Sequence, residues 1–150
     1  MKIKTILLSI ILLSGLNSFG QEKKMLNNIG NENPNAAEYK FESEEHDFGT
    51  ITQGESVTYE FKFINTGTEP LIISKAEGSC GCTVPIFPKE PIMKNQSAII
   101  KVTFNSTGKS GMQDKTVTLT SNAKRNPMIL HIKGNVEKLI EQPTTDKPKN

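Results

Sequence analysis

A period of two constrains this chain more than any other feature. Val57, Tyr59, Phe61 and Phe63 alternate with Thr58, Glu60 and Lys62. Ile100, Val102 and Phe104 alternate with Lys101 and Thr103, and Val117 and Leu119 with Thr116, Thr118 and Thr120. Met128, Leu130 and Ile132 alternate with His131 and Lys133, and Leu71 to Ser74 is a shorter apolar run. Successive side chains of a strand point to opposite faces, so each run has one apolar and one polar face. No segment shows a convincing helical period. Turn signals separate the runs: Asn65 to Pro70, the prolines 85, 88 and 91, Lys94-Asn95-Gln96, Thr107 to Gly111, and Ser121 to Pro127.

Short strands about ten residues apart predict an all-β fold, an immunoglobulin-like antiparallel β-sandwich of about seven strands over residues 38–136. A barrel is the alternative, because alternation alone does not separate the two. The expected core is Phe48, Ile51, Val57, Tyr59, Phe61, Phe63, Leu71, Ile73, Ile100, Val102, Phe104, Val117, Leu119, Leu130 and Ile132. The chain has no Trp, and its two cysteines are too close in sequence to bridge two sheets. The antibody arrangement of a Trp packed on an inter-sheet disulfide is therefore not expected.

Residues 1–20 read as a secretory signal peptide. Lys2 and Lys4 precede an apolar run from Ile6 to Leu13, and small residues Ser18 and Gly20 precede a cut between Gly20 and Gln21. The run is short of the roughly 20 apolar residues that span a bilayer, so no membrane anchor is expected in the mature chain. A periplasmic or secreted location follows. Loss of Lys2 and Lys4 lowers the 18 basic residues to 16, level with the 16 acidic ones. A balanced charge gives no electrostatic case for nucleic acid. Residues 21–37 and 137–150 are polar and poor in large apolar groups, and read as a flexible leader and tail.

The order and spacing of several motifs carry a resemblance. His46-Asp47-Phe48-Gly49-Thr50-Ile51, Gly54, Phe61-Lys62-Phe63-Ile64-Asn65-Thr66-Gly67, Pro70-Leu71-Ile72-Ile73 and Ser79-Cys80-Gly81-Cys82-Thr83 resemble a bacterial family known only as domain of unknown function 1573. Val102-Thr103-Phe104-Asn105, Gly111, Thr120-Ser121-Asn122 and Ile132-Lys133-Gly134-Asn135-Val136 fit the same pattern. Lys94-Asn95 departs from it, since the family usually has a Pro-Gly turn there. The family is similar in turn to immunoglobulin-like domains of the major sperm protein and hydin type. Those domains are mostly protein-interaction modules; the resemblance implies a sandwich and supplies no activity.

Read physically, Asp47-Phe48-Gly49 predicts an inward Phe48 beside a bend or bulge at Gly49. Asn65-Thr66-Gly67 predicts a strand end, with the Asn side chain starting a turn and Gly67 taking a positive φ. Cys80-Gly81-Cys82 is the motif with chemical potential. On an extended strand the two cysteines share a face with Cα atoms about 6.5–7 Å apart, and Gly81 would let the chain pinch to close a disulfide. Three readings stay open: a structural pair, a labile redox-active disulfide, or a soft-metal site. A closed zinc site needs four ligands, and only His46 and His131 could join the thiols. Nothing in the sequence brings those histidines near: His131 lies on a polar strand face and His46 at a strand edge. Met93, Met112 and Met128 could serve a copper ion, but each also fits core or surface.

No nucleophile elbow, Walker, Rossmann or zincin pattern occurs, so no enzyme activity, catalytic residue or cofactor is expected. The expected role is a non-catalytic interaction module whose partner is another envelope or extracellular protein. The alternative is a small thiol-redox or soft-metal-handling protein using Cys80 and Cys82.

Overall fold

The computed structural model describes residues 33–138. The expected signal peptide with its expected Gly20–Gln21 cut, residues 21–32 of the expected leader, and the tail from 139 lie outside the described residues. Eight strands run in chain order: β1 Tyr39–Phe41, β2 Glu45–Thr52, β3 Ser56–Asn65, β4 Ile73–Gly78, β5 Thr83–Ile86, β6 Ser97–Asn105, β7 Gly111–Ser121 and β8 Met128–Glu137. They form two four-stranded sheets, β1-β3-β6-β5 (sheet A) and β2-β8-β7-β4 (sheet B). The fold is a β-sandwich, not a closed barrel.

The count exceeds the expected seven because two short strands carry weak signals. β1 has only three residues, and β5 contains Pro85. The shorter strand expected over Leu71 to Ser74 begins later, at Ile73; Leu71 forms an isolated bridge with Ile92 instead. One pair departs from the antiparallel expectation: β2 runs parallel to β8. Parallel neighbours need a long connection, and here it consists of all the intervening strands.

The apolar faces meet as the alternation requires. Phe61, Ile100, Val102, Phe104, Val117, Leu119, Leu130 and Ile132 are buried, with Phe63, Leu71 and Ile73 beside them. Phe48, Ile51, Val57 and Tyr59 are half-buried and pack against this cluster. Removing a large apolar side chain from water contributes about 1.5–3 kcal/mol before chain entropy is set against it. Tyr39, Ile92, Met128 and Val136 complete the core.

Both domain boundaries shift outward. Ala36 and Ala37, placed in the flexible leader on composition, are fully buried. Asn35 C=O accepts from Thr68 Oγ1 at 2.6 Å and Glu69 N at 3.1 Å, and Ala37 C=O from Lys124 N at 2.9 Å. Small side chains let this segment lie close on the sandwich, which counting large apolar residues does not detect. At the other end β8 includes Glu137.

Three motif positions show why the chain turns where it does. Gly49 has φ of 70° at the bulge of β2, with its N–H on Asp47 Oδ1 at 2.8 Å. Asn95 takes φ of 62°. Asn tolerates the left-handed region better than most residues, so the turn forms here without a glycine. Gly67 corrects its expectation: its φ is not positive, and it is needed because a Cβ there would lie 2.3 Å from Ala36 O.

Candidate functional site

Cys80 and Cys82 form a disulfide with Cα atoms 5.2 Å apart, inside the range such a bond accepts. They do not lie on an extended strand. The chain leaves β4, turns through Gly81 and Cys82, and enters β5, with Thr83 N–H donating to Cys80 C=O at 3.0 Å. The turn draws the Cα atoms together, so the pinch comes from the turn. Gly81 is outside the left-handed region, and a Cβ on it would meet nothing within 4 Å.

The disulfide sits at a corner of the sandwich. β4 is an edge of sheet B and β5 an edge of sheet A, so this turn passes between the sheets. Ser79 fastens the sheet B side: its N–H donates to Thr116 C=O at 2.8 Å, and its Oγ accepts from Thr116 N at 3.1 Å. Cys82 C=O fastens the sheet A side by accepting from Asn105 N at 2.9 Å. The backbones approach so closely that a Cβ on Gly78 would lie 1.9 Å from Thr83 O. Both cysteines are half-buried. Buried Thr83 places Oγ1 3.6 Å from Cys80 Sγ and 3.8 Å from Cys82 Sγ.

The histidines are placed elsewhere. His46 stacks on Tyr59, with ring centroids 3.7 Å apart and planes within 6°. Burial pulls its pKa below the usual histidine value, and Asp47 opposes that shift. His131 keeps to the outer face of sheet B, where Nδ1 lies 2.9 Å from Asp114 Oδ1. His46 pairs in register with Ile132, one residue from His131, so the two imidazoles lie on opposite faces. Met128 belongs to the core, whereas Met93 and Met112 are exposed. Among the described residues no three His, Cys, Asp or Glu side chains come together as a metal site would need.

A buried network around Asn65 was only partly anticipated. The side chain is fully buried and has four partners. Oδ1 accepts from Glu38 N at 3.2 Å and Gly67 N at 3.0 Å, and Nδ2 donates to Glu69 O at 2.8 Å and Ile92 O at 2.9 Å. The turn bond to Gly67 was legible in the sequence; the long-range bond to Ile92 was not.

Residues 39–136 match the pattern of a family described as "Protein of unknown function (DUF1573)". The chain belongs to the DUF1573 family. This DUF1573 domain is similar in fold to a protein of unknown function from Porphyromonas gingivalis W83, with a TM-score of 0.58 and 14% identity. That match covers 66% of this chain and 46% of the other, so the chain spans about half of that protein. It is also similar to an ASH/PapD-like domain of human CEP192, with a TM-score of 0.54 and 11% identity, covering 70% of this chain and 89% of that one. Identities this low speak to the immunoglobulin-like fold alone. No curated protein sequence matches the DUF1573 chain.

Proposed function

We propose that this protein is exported to the periplasm or beyond and acts there as a non-catalytic interaction module, holding another envelope or extracellular protein against the outer face of sheet A. One observation carries the reading. Val84, Ile86 and Ile99 are 54%, 62% and 40% exposed on that face. Ile86 stands opposite Lys101 and diagonal to Ile99, so the apolar groups adjoin one another across β5 and β6. They lead into a groove of about 400 Å³ lined by Ile64, Ile99, Lys40, Lys62 and Glu42. An exposed apolar strip rimmed by charge fits a protein partner better than it fits water. The basic leader supports export, and a sulfur pair joined as a disulfide suits an oxidising compartment.

The test is in-cell crosslinking with three forms of the full chain. The unaltered chain and Cys80→Ser/Cys82→Ser should capture the same partner, whereas Val84→Asp/Ile86→Lys should lose it while keeping its unfolding midpoint. Loss of the partner only in the cysteine variant would transfer the function to the sulfur pair. The captured chain should begin at Gln21. Recovery from the cytoplasm with the leader attached would overturn the export half of the reading.

A further inference from the structure

The four sheet edges differ in what they offer another chain. An edge strand presents unpaired N–H and C=O groups, and proteins blunt that row by shortness, bulges, proline or charges that a wrong partner leaves unmatched. β1 has three residues. β2 is bulged between Asp47 and Thr50. In β5, the bond from Asn105 N to Cys82 O sets the alternation, so Val84 and Ile86 direct their main-chain groups to β6. Thr83 and Pro85 therefore face the free edge. Thr83 N–H is already bonded to Cys80 C=O, and Pro85 has no N–H. The β5 edge thus has no donor left at either residue.

β4 is irregular only at its start, between Ile73 and Lys75, and from Lys75 to Gly78 it keeps an unbroken register with β7. Ser79 N–H bonds Thr116 C=O, and the register Glu77↔Thr118 and Lys75↔Thr120 continues that pattern. Lys75 and Glu77 therefore direct their main-chain groups into β7, and Ala76 directs both of its own toward the free edge. The side chains of Lys75 and Glu77 stand on the outer face of sheet B, 61% and 58% exposed, with Nζ 2.8 Å from Oε1.

We propose that β4 pairs antiparallel with β4 of a second copy, across a twofold axis at Ala76. The occupant is chosen by charge. In that register Lys75 stands opposite the partner's Glu77, and Glu77 opposite the partner's Lys75, on the same face of the joined sheet. Opposite charges directly across a strand pair stabilise it and like charges oppose it, and a twofold axis makes each contact occur twice. The ion pair within each strand becomes a four-charge row across the axis. At the centre Ala76 N–H donates to the C=O of Ala76 in the second copy, and receives the reciprocal bond on its own C=O. This contact uses sheet B and is independent of the partner proposed for sheet A.

Sedimentation equilibrium of the full chain as isolated from cells tests the pairing, with urea midpoints confirming that each variant is folded. The unaltered chain should sediment as a dimer. Lys75→Glu sets Glu against the partner's Glu77 twice, and should weaken association about tenfold; Glu77→Lys should do the same. The double variant Lys75→Glu/Glu77→Lys recreates the opposite-charge pairs and should recover the dimer. Val84→Asp/Ile86→Lys should leave the dimer intact even where partner capture is lost. A monomer for the unaltered chain at all concentrations up to about 1 mM would overturn the proposal. A double variant no better than the single ones would do so too.

Discussion

Two corners of this sandwich are fastened by different means. At Asn65-Thr66-Gly67 one fully buried carboxamide makes four hydrogen bonds. At Cys80-Gly81-Cys82 a half-buried covalent bond joins residues two apart. The carboxamide ties Glu38, Glu69 and Ile92, which lie far apart along the chain. The disulfide joins residues that the chain already holds close, so it removes little freedom from the unfolded state. Chemical conspicuousness and structural weight are therefore distributed oppositely: the plain asparagine orders three segments, and the prominent cysteines secure one turn.

The sharpest way to break that comparison is Asn65→Ala. It takes the carboxamide from Gly67 N–H, Glu38 N–H and Glu69 C=O, the first of them buried and the other two part-buried, while Ile92 C=O keeps only Leu71 N–H. A cost of about 3–5 kcal/mol is expected, a large part of the stability of a domain this size. Urea unfolding measures it, and a loss no greater than that from removing the disulfide would reverse the ranking. Gly78→Ala comes next. The added methyl group would meet Thr83 O at 1.9 Å, and a backbone atom cannot swing aside. About 1–3 kcal/mol is expected, read as a lower midpoint at unchanged slope.

The same contrast explains what was legible in the sequence. Strands β3, β6, β7 and β8 were plain because one face is wet and the other dry, which writes the period of two directly. Strand β5 was hidden because Pro85 looks like a breaker, yet an edge strand can carry proline where its missing N–H would have faced solvent. Ala36 and Ala37 were hidden because small side chains do not signal burial. The Cys80-Gly81-Cys82 motif stood out, but its turn geometry did not, because spacing alone does not distinguish a pinched strand from a turn. Gly134 was visible only as a motif letter. In the fold, a Cβ there would lie 2.3 Å from the Phe48 ring, a pairing between β8 and β2 that no local pattern encodes.

Removing the disulfide is the third test. Cys80→Ser/Cys82→Ser should cost about 1–2 kcal/mol, because a loop this short carries little closure entropy. Thr83 N–H to Cys80 C=O, Ser79 to Thr116 and Cys82 C=O to Asn105 should keep the corner in place. A cost approaching that of Asn65→Ala would mean that the covalent bond organises the corner.

Gly81→Ala should have the smallest effect and isolates the turn itself. Its φ lies outside the left-handed region and its Cβ would face open space, so neither strain nor contact opposes the methyl group. A change within about 0.5 kcal/mol is expected, and the disulfide should still form, read as a mass two hydrogens lighter than the reduced chain. A free-thiol mass would show that closing the bond requires backbone freedom at Gly81. The glycine inside the motif is thus the replaceable one, and Gly78, two residues before Cys80, is the one the corner cannot do without.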